Sequence, residues 1–99
     1  MVQINWTNLA VEDLKGIYDY ISRDSTKYAK IQVVRLRART NVLKKHPLSG
    51  KPVPEYSDDN FRELIEGNYR IIYKSVSVER IDILTIHHLS RDLEKRQIG

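Results

Sequence analysis

Arg62-Glu63-Leu64-Ile65-Glu66-Gly67-Asn68-Tyr69-Arg70-Ile71-Ile72-Tyr73 is followed by a polar stretch, by the apolar run Ile81-Asp82-Ile83-Leu84-Thr85-Ile86, and by His87-His88-Leu89-Ser90-Arg91. This reads as a β-meander. Gly67 and Asn68 both tolerate positive φ and supply a tight turn between the first two strands. Ser75 to Arg80 holds the next turn, with Val76 and Val78 blurring its limits. The segment 81–88 is apolar on both faces, the pattern of a central strand covered on both sides. Arginines and histidines stand on these strands and at a strand end, positions usually given to packing. Cationic groups held on a rigid sheet point to a surface that grips something anionic.

Upstream of the meander, Val2, Ile4 and Trp6 alternate with polar residues and predict a short strand over 2–6. Thr7 is placed to cap a helix whose first turn carries Glu12 and Asp13. Ala10, Leu14, Ile17, Tyr18 and Ile21 form one apolar helical face ending near Arg23. Asp24-Ser25-Thr26 makes a turn and a second cap. A longer helix then runs to about Lys45, with Ala29, Val33, Leu36, Thr40 and Leu43 as a narrow stripe. Its other faces carry Lys30, Arg35, Arg37, Arg39, Lys44 and Lys45. The short connection predicts an antiparallel helical hairpin. Residues 46–60, with Pro47, Gly50, Pro52 and Pro54, form a long loop. The expected fold is α+β, in the order β-α-α-β-β-β. The hairpin packs on one face of a twisted antiparallel sheet, and a short C-terminal tail follows. The strand 2–6 either adds at an edge or pairs with the last strand.

At 99 residues the chain is expected to form a single domain over 1–99. Its 40% hydrophobic and 30% charged composition is that of a soluble globular protein. There is no cysteine, so disulfides, a thiol nucleophile and a cysteine metal site are excluded, which fits a reducing cytoplasm. The first residues lack the basic region and long apolar core of a signal peptide, and no apolar run approaches a membrane span. The net charge of +4 fits either a solvated basic surface or an acidic partner such as nucleic acid, ribosome or acidic protein.

Arg70 shares a strand face with Ile72 and Lys74. It is an exposed, snorkelling arginine, a structural ion pair, or an anion-gripping group, for which the guanidinium fork suits phosphate or carboxylate. With a two-residue turn, Arg62 lies opposite Tyr73, as a binding pair or a simple cross-strand contact. His87 and His88 are consecutive, so they point to opposite faces and cannot ligate one metal together without a bend in the strand. One is expected toward the helices, hydrogen-bonded and structural; the other is a candidate acid/base group or phosphate contact. Glu55, in the proline-rich loop, is either a general base or a solvated loop glutamate. No glycine-rich phosphate loop, nucleophile elbow, zinc-protease helix or Rossmann fingerprint occurs, and neither cofactor nor metal is expected.

The chain resembles the ParE branch of the RelE/ParE toxins of bacterial type II toxin–antitoxin modules over nearly its whole length. The resemblance lies in Trp6-Thr7 with Ala10, Asp13-Leu14, Ile17 and Tyr20-Ile21, and in Leu43 with Pro47-Leu48-Ser49-Gly50-Lys51 and Val53-Pro54-Glu55. It is densest in Arg62-Glu63-Leu64 and Gly67-Asn68-Tyr69-Arg70-Ile71-Ile72-Tyr73, then in Ile83 to His87-His88 and Arg91. It implies the β-α-α-β-β-β fold and two competing activities. As a RelE-like, ribosome-dependent endoribonuclease the chain would cut messenger RNA with Arg70, His87 or His88, and Glu55. As a ParE-like inhibitor it would bind DNA gyrase without chemistry of its own, meeting its partners through Arg62, Arg70, Tyr73, His88 and Arg91. Arg62-Glu63-Leu64 and Pro54-Glu55 look more like that branch. A third reading is a non-toxic binding module of the same fold. The resemblance also implies a cytoplasmic hetero-oligomer with a small acidic antitoxin, and no membrane partner.

Overall fold

The computed structural model describes residues 1–90. Strand β1 (Gln3–Trp6) leads into α1 (Asn8–Ser22) and α2 (Thr26–Arg39), which continues as a 3-10 turn over Thr40–Lys44. Then come β2 (Lys51–Pro52), β3 (Phe61–Glu66), β4 (Tyr69–Ser77) and β5 (Arg80–His88). The five strands lie in the order β1-β5-β4-β3-β2. The expected tail and Arg91 lie outside the described residues. No helix among the described residues is long and apolar enough to cross a membrane.

Both helix starts follow from local chemistry. The Thr7 hydroxyl accepts from the Ala10 N–H at 3.2 Å, and the Ser25 hydroxyl from the Tyr28 N–H at 3.2 Å. Each satisfies one of the donors a helix start leaves unpaired. The second helix is shorter than its stripe predicts. The Thr40 hydroxyl donates back to the Arg37 carbonyl at 2.7 Å, competing with the helical ladder, and the chain tightens into a 3-10 turn that still buries Leu43.

The β3–β4 hairpin has the expected two-residue turn. Gly67 alone takes positive φ, at 58°, as the first central position of a type II′ turn requires, so Asn68 does not use its tolerance. Arg62 stands opposite Tyr73, and Arg70 opposite His87. The next hairpin is longer than predicted: β4 reaches Ser77, and register shifts near Ser75 absorb the valines that blurred the turn.

The sheet is mixed rather than antiparallel, because β1 pairs parallel to β5. This orientation has a physical return. Trp6 ends beside Ile83, halfway along β5, and α1 then crosses the part of the β5 edge that β1 leaves unpaired. There the Thr7 hydroxyl donates to the Ile83 carbonyl at 2.8 Å, and the Asp13 carboxylate accepts from the Ile86 N–H at 2.9 Å. It also accepts from the Thr85 hydroxyl. At the opposite edge, Lys51 and Pro52 form a short strand inside the predicted loop, where proline's missing N–H costs nothing.

The helices cover one face of the sheet. Ala10, Leu14, Leu36 and Leu43 pack there on Leu64, Ile71, Tyr73, Ile83 and Ile86. The proline-rich loop covers part of the other face, where Val53, Tyr56 and Phe61 pack on Ile72 and Leu84. That cover explains why β5 is apolar on both sides.

Candidate functional site

Arg70 stands on β4, on the face away from the helices, with its side chain only 10% exposed. Its Nη1 and Nη2 donate to the two carboxylate oxygens of Glu55 at 2.7 and 2.8 Å. Its Nε donates to Glu63 Oε2 at 2.6 Å. Strand register explains Glu63: it opposes Ile72, two residues from Arg70 on the same face. Glu55 arrives from the loop, which folds over the sheet to place it. This is a bidentate, charge-assisted pair with a second carboxylate on the remaining edge of the fork. The hydrogen bond from Arg70 holds the Glu55 carboxyl below the usual carboxylate range, against the opposing pull of burial. Glu55 in turn raises the already high pKa of Arg70. Burial, with Glu55 nearby, pushes the Tyr56 phenol up.

Arg62 and Tyr73 act together on the loop's other end. Arg62 Nη1 donates to the Gly50 carbonyl at 2.9 Å and the Leu48 carbonyl at 3.2 Å, and its Nε to the Asp59 carbonyl at 3.0 Å. The Tyr73 hydroxyl donates to the Pro47 carbonyl at 2.9 Å and accepts from the Gly50 N–H at 3.0 Å. Tyr73 is fully buried. It therefore offers a partner no surface, and its expected place among the binding residues is corrected to an anchor for Pro47–Gly50. Replacing Tyr73 with Phe strands the buried Gly50 N–H. The expected cost is about 1–3 kcal/mol, read as a lower urea midpoint at unchanged slope.

The two histidines separate as consecutive strand residues must. His87 is buried on the Arg70 side, directly opposite Arg70 in the ladder. His88 turns toward α1, half-buried. Its ring meets Tyr69 edge-on at 5.4 Å, and its Nδ1 lies 2.8 Å from the Ser90 hydroxyl and accepts from the Ser90 N–H at 3.1 Å. His88 also lines a cavity of about 650 Å³ between α1 and the end of β5, with Glu12, Asp19, Tyr20 and Tyr69 on its walls. The structure thus brings Arg70, Glu55 and His87 to one face and sets His88 on the other. Arg91 lies outside the described residues.

Glu63 is the member of the Arg70 cluster that the sequence reading passed over as a site residue. Its signal was present: a two-residue turn at Gly67-Asn68 puts positions 63, 65, 70 and 72 on one face, so Glu63 and Arg70 are diagonal neighbours. Asp13 carried no such signal, because its partners on β5 are distant in sequence.

Comparison with known proteins bears on this arrangement. The model of the family described as ParE toxin of type II toxin-antitoxin system, parDE, matches residues 4–93. The chain is 30% identical over 91 residues to Toxin RelE2 of Caulobacter vibrioides, covering 92% of this chain and 99% of that protein. It superposes on a solved chain of the chromosomal ParDE TA system from P. aeruginosa with a TM-score of 0.73 at 24% identity. That match covers 91% of this chain and 98% of the other, and shows the shared fold. With a helical hairpin on a mixed sheet and a family match that runs from β1 past the end of β5, the chain belongs to the ParE toxins of type II toxin–antitoxin systems.

Proposed function

We propose that this toxin arrests growth by binding DNA gyrase, breaks no bond itself, and is neutralised by a cognate acidic antitoxin in the cytoplasm. The observation that carries the choice against RNA cleavage is the state of Arg70. Each of its three guanidinium nitrogens donates to Glu55 or Glu63, so one positive group sits between two negative ones. These three groups together carry a net negative charge. A scissile phosphate would be repelled, and Arg70 would have to leave two short charge-assisted bonds to stabilise a transition state. His87, beside it, is buried to 4% exposure, which restricts proton exchange with a substrate.

Arg62 and His88 keep partly exposed side chains and remain the described members of the proposed partner surface. Adding purified toxin to purified gyrase and relaxed plasmid is expected to suppress supercoiling in proportion to toxin. Full supercoiling at saturating toxin would reject the proposal. Cuts at the ribosomal A site, mapped by primer extension in expressing cells, would replace it with the endoribonuclease reading.

A further inference from the structure

Gly16 stands near the middle of α1. A glycine inside a helix loses more backbone freedom on folding than alanine does, and so weakens the helix. Among the described residues nothing requires it. Its φ is not positive, and a Cβ built on it would meet no atom within 4 Å. The missing side chain instead leaves a notch in a wall. Glu12, Gly16, Tyr20 and Arg23 recur at i, i+4, i+8 and i+11, on one side of α1. With Asp19 they form one wall of the cavity of about 650 Å³ between α1 and the end of β5, and Tyr69 and His88 stand on the other. Glu12 lies one turn before Gly16 and Tyr20 one turn after, each about 6 Å away along the axis. A carboxylate therefore bounds the notch at one end and an aromatic ring at the other.

The notch is acidic in a chain whose net charge is +4. Asp13, on the same wall, is taken up by the Ile86 N–H and the Thr85 hydroxyl of β5. Among the described residues, the Glu12 and Asp19 carboxylates belong to no ion pair. Arg23, at the far end of the wall, holds its guanidinium 5.9 Å from the centroid of the Tyr20 ring, the way such rings attract cations. Open space, unpaired carboxylates and aromatic walls together suit a guanidinium, which is planar, stacks on rings and forks to carboxylates.

We propose that this notch receives an arginine side chain of the toxin's target protein. Its guanidinium lies over Gly16, within reach of Glu12 and Asp19, and its stem lies against the rings of Tyr20 and Tyr69. The antitoxin proposed above is acidic and would be repelled by these carboxylates, which leaves the target as the source. The proposal rests on the toxin reading for that source alone.

The test uses the full chain and two capped pentapeptides. One carries a single central arginine among glycines and serines; the other replaces it with citrulline, a neutral group of nearly the same shape. Titration with the arginine peptide is expected to give saturable amide shifts at Gly16 and Tyr20, and the citrulline peptide to bind at least tenfold more weakly. Gly16→Leu fills the notch without changing charge and should also bind at least tenfold more weakly. Leucine favours a helix over glycine, and the position is open, so this variant should melt no lower than the native chain. Glu12→Gln combined with Asp19→Asn should lose at least tenfold in binding. Glu79→Gln, in the turn at the far end of β5, should bind as the native chain does. A further variant, with Arg91, Lys95 and Arg96 all changed to alanine, decides between occupants. Unchanged binding supports the proposal, and tenfold tighter binding would put the chain's own cations in the notch and overturn it. Absence of shifts at Gly16, equal binding of the citrulline peptide, or indifference to Gly16→Leu would each overturn it as well. No gyrase is present in these measurements. A failed supercoiling test therefore leaves the notch standing, and failure here leaves the gyrase reading untouched.

Discussion

Arg70→Ala is expected to destabilise the fold by about 3–5 kcal/mol, because it removes the cation from between two carboxylates that stay buried. The Glu55 and Glu63 side chains are 19% and 13% exposed, so water reaches neither well enough to replace the guanidinium. The loss exceeds the worth of an exposed ion pair, at most ~1 kcal/mol, since most of it is the cost of stranded charge. Urea unfolding at neutral pH measures it, and a shift below about 1 kcal/mol would contradict the buried cluster.

The pH dependence gives the same interaction a second signature. Arg70 depresses the folded pKa of Glu55 below its unfolded value. The stability this contributes is present above the unfolded carboxylate pKa and is lost as pH falls through the folded one. In the alanine variant the cation is gone while burial remains, so protonation of the carboxylates favours the folded state. The deficit of the variant should therefore shrink on acidification. Replacing Arg70 by Met together with Glu55→Gln and Glu63→Leu should recover much of the neutral-pH loss, as apolar replacements of buried ion clusters do.

Gly50→Ala is expected to cost about 3 kcal/mol, through overpacking and the loss of the Tyr73 hydrogen bond together. A Cβ at this position would lie 2.6 Å from the Glu63 carbonyl oxygen and 2.7 Å from both Cε1 and the hydroxyl of Tyr73. The first of these atoms is backbone of β3 and cannot swing aside; the ring is fully buried. Alanine also restricts the unfolded chain, which favours folding by about 0.4–1 kcal/mol, too little to offset the clash. Thermal unfolding reads the difference. Combined with Tyr73→Phe, which removes one clashing atom and the same hydrogen bond, the two losses should sum to less than their separate values. Strict additivity would mean that Gly50 and Tyr73 are not packed as described.

Arg70 and Gly50 both concern how the loop is fastened to the sheet, and this is the part of the molecule least legible from residues in order. Proline and glycine in 46–60 announced a break in regular structure, but not that Glu55 would lie across Arg70 or that Lys51 and Pro52 would pair with β3. Those contacts join positions with no shared period. Arg62 and Tyr73 were placed opposite one another from the two-residue turn alone, yet their role as loop anchors depended on where Pro47–Gly50 came to rest.

Local patterns by themselves determined the two capped helices, the turn at Gly67-Asn68, the meander register that follows from it, and the apolar faces that make one layer of helices and one sheet. Each rests on neighbours within a few residues, where backbone geometry dictates which side chains share a face. Only the tertiary structure decided the rest. β1 runs parallel to β5 because Thr7 and Asp13 must satisfy the β5 edge that β1 leaves open. Arg70 donates to Glu55 and Glu63 because a buried guanidinium requires paired anions, and the folded loop supplies the bidentate one. The cation that the sequence leaves open between a structural ion pair and a grip for an external anion is, in the folded chain, paired with Glu55 and Glu63 and clasps the loop to the sheet.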